Sequence, residues 1–185
     1  MIQITTKEVA VYIAQDAIVH LGGPEVGFLK KQVFKTAQQR VRLCVHKSID
    51  ERLQEMLVVA SRNSYTQPAK HVGKEESTHI IQGVADLVFF DDGGTITEVF
   101  PMGDLTSGRP FYCRVPGSRF HTLLIRSPLL IFHECTLGPF RNSDTIYPAW
   151  SPAKDDIREA QKYMARLIQE VDQFYERTNR SRVAP

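Results

Sequence analysis

Two of the six histidines stand at spacings that suit chemistry. His71 lies five residues before Glu76, and Glu76 lies seven before Gly83. Some forty residues further on, Pro116-Gly117-Ser118-Arg119-Phe120-His121 turns into an apolar strand. Imidazole nitrogen and carboxylate oxygen are both ligand types for divalent cations. A buried carboxylate is costly without a partner or a proton, so Glu76, if it lies inside the fold, calls for a cation nearby.

These residues resemble the cupin superfamily. Its first motif has two His separated by one residue, then a Glu, then a Gly, and His71, Glu76 and Gly83 match that spacing. Its second motif has a Pro, a Gly two positions on and a His three further. Pro116, Ser118 and His121 match it, with Ser in place of the Gly. A closer resemblance, to the WbuC-type cupin metalloproteins, runs from about residue 25 to 152. It is carried by an Arg-x-Arg strand ending in His (Arg40, Arg42, His46) and by Tyr65 and Pro68 ahead of the His pair. Glu134, Gly138-Pro139-Phe140 and Ala149-Trp150-Ser151-Pro152 complete it.

The chain departs from that pattern at Ala69, where the first His of the pair belongs. Alternate strand residues share a face, so positions 69 and 71 are both expected to point into the barrel. The resemblance then implies three ligands, His71, Glu76 and His121, for one divalent ion (zinc, iron, manganese or nickel). Two imidazoles and a carboxylate also form the facial triad of non-haem Fe(II) oxygenases, whose open positions are what catalysis needs. A lost ligand is equally the way a non-catalytic relative arises.

His133 and Glu134 are adjacent, so only one can face inward, and either is a candidate for the missing ligand. His79, three residues after Glu76, belongs on the opposite face, and His46 reads as structural. Tyr65, Gln67, Ala69, Tyr112 and Arg119 are candidate pocket residues. Asp86, Asp91 and Asp92 read as turn and edge residues.

The elements that must hold these groups are mostly strands. Residues 9–21 are rich in β-branched types and read as one or two strands ending at Gly22-Gly23, with a helix as the alternative. Pro24 suits the first turn of a helix over 24–38. Val41, Leu43 and Val45 then alternate with Arg40, Arg42, Cys44 and His46, as on a half-buried strand. Strands are expected at 53–60, 76–82, 84–90, 95–100, 111–115, 120–126 and 129–136. The breakers between them include Asp91-Asp92-Gly93-Gly94, the stretch Pro101 to Pro110 and Ser127-Pro128. Ile157, Ala160, Met164, Leu167, Ile168, Val171 and Phe174 form one apolar stripe on a helix over 154–177. The fold class that follows is mainly β, a cupin double-stranded β-helix or jelly-roll barrel with an N-terminal and a C-terminal helix. Residues 1–152 make the cupin domain with its N-terminal extension, and 153–185 the C-terminal helix and a frayed, mildly basic tail.

With 185 residues and a formal net charge of +2, the chain carries no field that argues for nucleic acid or an anionic membrane. No run approaches the ~20 apolar residues of a membrane helix. Met1 to Glu8 shows no signal-peptide pattern, and Cys44, Cys113 and Cys135 form no disulfide framework. A cytoplasmic location is expected, with a small molecule as ligand, no nucleic acid or membrane partner, and a homodimer by fold analogy. The resemblance implies a metal-binding protein linked with bacterial surface polysaccharide metabolism. Two readings stand open: a small metalloenzyme acting on a sugar or other small polar molecule, and a non-catalytic cupin that binds a small ligand.

Overall fold

The computed structural model describes residues 3–183. Along the chain run β1 (Ile4–Glu8), β2 (Val11–Ala14), α1 (Gly23–Gln32), β3 (Arg40–Cys44), β4 (Leu53–Ser61), β5 (Lys70–His71) and β6 (Glu76–Gln82). They are followed by β7 (Val84–Phe90), β8 (Ile96–Gly103), β9 (Tyr112–Val115), β10 (Phe120–Ile125), β11 (Leu129–Leu137), β12 (Thr145–Ile146) and α2 (Ile157–Val183).

The larger sheet has the order β1-β2-β3-β4-β11-β6-β9, and the smaller one β10-β7-β8. A bridge from Ala69 to His121 adds the β5 segment beside β10. From β4 to β11 the chain therefore pairs first with eighth, eighth with third and third with sixth in one layer. In the other layer it pairs second with seventh, seventh with fourth and fourth with fifth. That is jelly-roll connectivity, and antiparallel pairing joins these strands throughout.

Three apolar clusters hold the layers together. Met56, Val58, Ile80, Leu87, Phe89, Leu130 and Phe132 fill the space between the two sheets. Leu29 and Val33 pack on Val41, Leu43, Leu57, Val59 and Ile131 outside the larger sheet. Tyr163, Leu167 and Val171 of α2 cover Val88, Phe90, Phe120 and Leu124 outside the smaller one. Each fully buried side chain of this size contributes about 1.5–3 kcal/mol. Both faces of the larger sheet are thus buried along much of β3 and β4, where the alternation of β3 suggests a half-buried strand. The apolar Val41 and Leu43 lie under α1, whereas Arg40 and Cys44 face the barrel interior with Ala60 and Met56.

Several boundaries differ from the sequence reading. The strands of 9–21 begin earlier, at Ile4, with a tight turn at Ala10 (φ 87°). The helix of 24–38 ends at Gln32, and a short 3-10 turn over Val33–Lys35 leaves Phe34 exposed. There the Thr36 hydroxyl donates to Val33 O at 3.0 Å, and Gln39 at φ 47° turns the chain into β3. β8 continues through Pro101 because it is an edge strand, where proline's missing N–H costs no ladder bond.

α2 runs from Ile157 to Val183 rather than 154–177. The reading of a frayed tail falls partly on Ala184 and Pro185, outside the described residues. Asp86, expected at a solvated edge, lies 2 % exposed beneath α2. It accepts from Arg126 Nε at 2.6 Å and from the Tyr175 hydroxyl at 2.8 Å, while Arg126 also reaches Asp172 at 2.9 Å. No described helix is long and apolar enough to cross a membrane.

Candidate metal centre

Strand parity carries the site. Glu76 shares the inward face of β6 with Ile80, and His121 stands opposite the core residue Phe89 on β7. Ala69 and His121 form an antiparallel bridge, so their side chains lie on one face; His71, two residues on, shares it. The structure brings one ligand atom each of His71, Glu76 and His121 within 4.8 Å of one another.

β5 is held in place by close backbone approach. His71 N donates to Gly117 O at 2.7 Å. A Cβ on residue 117 would stand 2.2 Å from His71 O and 1.7 Å from Lys74 O, so only glycine fits. The glycine of the second motif is thus needed at 117, one place before Ser118. On its other edge β5 pairs with β12, with His71 opposite Thr145.

The two rings are oriented from behind. His121 Nδ1 donates to Arg119 O at 2.9 Å; a carbonyl only accepts, so Nδ1 carries the proton. His71 Nδ1 lies 3.2 Å from the Thr145 hydroxyl. Both Nε2 atoms therefore face Glu76, His121 Nε2 at 2.5 Å from Oε1 and His71 Nε2 at 3.4 Å from Oε2. Burial pushes Glu76 and His121 towards their neutral forms, but their mutual hydrogen bond and charge prevail. The Glu76 carboxyl is held below its ordinary value and the His121 imidazole above. The set fits a divalent cation: two Nε2 donors with their far nitrogens tied, and a carboxylate between them.

The other expected residues divide. Ala69 is 8 % exposed and lies at the cluster. Arg119 folds its guanidinium over the Phe89 ring at 4.6 Å and pairs with Glu98 at 2.6 Å. Of the adjacent pair, Glu134 faces inward, whereas His133 faces outward opposite His79 and lies 3.6 Å from Glu55. Neither belongs to the three-residue cluster. Glu134 is engaged by Arg40 at 3.4 Å. Tyr65 and Gln67 lie outside the cluster. The Tyr65 hydroxyl donates to Pro152 O at 2.9 Å and its ring packs edge-on to Tyr163, while Gln67 reaches Ser151 at 3.3 Å. They secure the joint between barrel and α2. Tyr112 is exposed and lines a groove of about 140 Å³ with Glu76, Ser77, Arg114 and Cys135. A groove of about 700 Å³ beside Lys74 and Asp144, which pair at 2.7 Å, contains none of the three cluster residues.

Arg40 and Thr145 were not singled out from the sequence as site residues. The alternation on β3 marks two unlike faces without saying that the Arg40 face meets the barrel, and nothing local marks Thr145, whose partner is 74 residues away.

Residues 28–102 match the model of a family described as a domain of unknown function, DUF6016. No curated protein matches the chain. Among solved structures, the chain is similar to an oxalate decarboxylase–formate complex from Lactobacillus farciminis, at 17 % identity and a TM-score of 0.42, covering 52 % of this chain and 27 % of that one. It is also similar to the capsular polysaccharide assembling protein CapF from Staphylococcus aureus, at 12 % identity and a TM-score of 0.44, covering 58 % and 28 %. A protein from Shewanella oneidensis aligns at 13 % identity and a TM-score of 0.44, covering 53 % and 63 %. The chain thus spans under a third of the first two and less than two thirds of the last. The fold itself is read from strand order: a cupin-type jelly roll with a His/Glu/His cluster inside it.

Proposed function

We propose that this chain is a WbuC-type cupin that holds one divalent metal ion on His71, Glu76 and His121 and acts on a small polar molecule, a sugar or a compound of similar polarity, in bacterial surface polysaccharide metabolism. The convergence of those three ligand atoms within 4.8 Å carries the reading. A bound divalent ion would supply a Lewis acid able to polarise a ligand oxygen or activate water. The chain's own part is to hold that ion and shape the space around it. Glu76 supplies the negative charge, Arg119 O and Thr145 fix the two imidazoles, and Phe89 walls the site at 5.9 Å from the His121 ring. A cytoplasmic homodimer belongs to the same reading.

Ala69 favours a second reading, a cupin that binds ligand and metal without turnover. Elemental analysis of the native, untagged protein tests the metal, with near one equivalent expected; absence of any transition metal, with no Zn²⁺, Fe²⁺ or Mn²⁺ uptake on titration, overturns it. Turnover of candidate sugars by the metal-reconstituted protein separates enzyme from binder.

A further inference from the structure

Arg40 enters the barrel from β3, opposite Ala60, whose small side chain leaves room for it. Its guanidinium lies 5.8 Å from the Phe132 ring centre, and among the described residues it donates to two oxygens, Glu134 Oε2 at 3.4 Å and Thr66 Oγ1 at 3.3 Å. Charge-assisted bonds of arginine to a carboxylate are normally about 2.7–2.9 Å and often bidentate. Neither contact reaches that, so the planar fork retains donors for another acceptor.

The position is half-buried, and burial is the main cause holding the Arg40 guanidinium below its ordinary value. The side chains of Arg40, Glu134 and His71 are 25 %, 22 % and 25 % exposed, whereas His121 is 9 %. Glu134 stands opposite Thr78 on β6, two residues from Glu76 on the inward face, so Arg40, bound to Glu134, lies beside the cluster. Phe89 packs beside the His121 ring at 5.9 Å and Phe132 beside the Arg40 guanidinium at 5.8 Å, so apolar rings border both groups.

Charge decides the class of ligand. With a divalent cation on neutral imidazoles, the interior sets one guanidinium and one dication against two carboxylates, Glu76 and Glu134. One positive charge is left over in a partly desolvated space, where a neutral ligand leaves it uncompensated and a monoanion balances it.

We propose that the small molecule taken by this barrel is a carboxylic acid, its carboxylate gripped by the Arg40 guanidinium beside the His71, Glu76 and His121 cluster. The inference rests on the metal reading above and narrows its small polar molecule to an acid. Arg40 sets specificity, and Glu134 and Phe132 position it.

The test uses full-length protein loaded with Zn²⁺ and matched probes titrated by calorimetry: lactate against propane-1,2-diol, and D-glucuronate against D-glucose. The acid of at least one pair should bind about tenfold or more tightly than its neutral counterpart. Arg40→Met should weaken that acid about tenfold or more, with Zn²⁺ affinity unchanged or raised, because a nearby positive charge is removed. Arg40→Met leaves Glu134 without its cation, so the double variant Arg40→Met/Glu134→Gln, which keeps the net charge, should show the same loss. Equal binding of acid and neutral probe in wild type, or unchanged acid affinity in both folded variants, overturns the inference and leaves the metal reading intact. Failure of the wild type to take up Zn²⁺, Fe²⁺ or Mn²⁺ overturns both.

Discussion

Ala69 stands directly opposite His121 in a doubly hydrogen-bonded pair, Ala69 N donating to His121 O at 3.1 Å and His121 N to Ala69 O at 3.0 Å. Side chains so paired share a face with Cβ atoms about 5 Å apart. The position where the cupin pattern has a ligand thus points at the cluster and carries only a methyl group.

Ala69→His should therefore raise metal affinity, by about 10–100-fold if a first ligand is worth at least what supporting residues are. Position 69 is buried, so the metal-free variant should lose about 1–3 kcal/mol from overpacking. Chelator-competition titrations with Zn²⁺, Fe²⁺ and Mn²⁺ on both proteins read the first effect and urea melts the second. Equal affinities would refute the geometry.

The His121–Glu76 contact gives the metal-free and metal-loaded proteins opposite pH dependences. His121 is raised, so its contribution is full below the unfolded imidazole value of about 6.5 and is lost as pH rises through its higher folded value. Glu76 is lowered, so its contribution is present above about 4.3 and is lost as pH falls through its lower folded value. With EDTA the pair stabilises most between those limits and less above. With Zn²⁺, protons compete for His121 from above its ordinary value downward, so metal affinity and melting temperature rise with pH. Melts from about pH 5 to about pH 9 should show the two curves diverging; parallel curves would remove the pair as the cause.

Gly117→Ala should displace the end of β5, since the new Cβ has no room against Lys74 O and His71 O. Loss of about 2 kcal/mol or more and a fall in metal affinity are expected together. Gly27→Ala, within α1 with nothing inside 4 Å, is the control and should stabilise by about 0.5–1 kcal/mol. If both variants melt alike, β5 is not held as described.

The clasp under α2 should be costly to break. Asp86→Ala leaves Arg126 without its buried partner and should lose about 3 kcal/mol, while Tyr175→Phe removes one hydrogen bond and should lose about 1 kcal/mol. Truncation at Pro152 should expose the apolar surface around Val88, Phe90 and Leu124, lowering solubility and melting temperature. A truncated chain that melts and elutes like the intact one would make α2 dispensable.

Much was legible along the chain because it is local or periodic. Strands from Leu53 to Leu137 announce themselves by β-branched residues and turn breakers, and their number and spacing point to a barrel. The stripe through Ala160, Leu167 and Val171 announces a helix that must be covered. His71, Glu76, Gly83 and His121 stand out by spacing, and period two places Ala69 beside His71. Tertiary structure decided what periodicity leaves symmetric. A strand pattern says that two faces differ but not which one meets the barrel: on β3 the apolar face went under α1, and Arg40 went inside. The same ambiguity at His133 and Glu134 was settled by the pairing of β11 with β4 and β6, which turns Glu134 inward. Two-residue strands such as β5 and β12 carry no period at all, and they exist only because a distant segment supplies their hydrogen bonds. Asp86 and Tyr65 became structural for the same reason, since α2 and the segment before it arrive from more than eighty residues away.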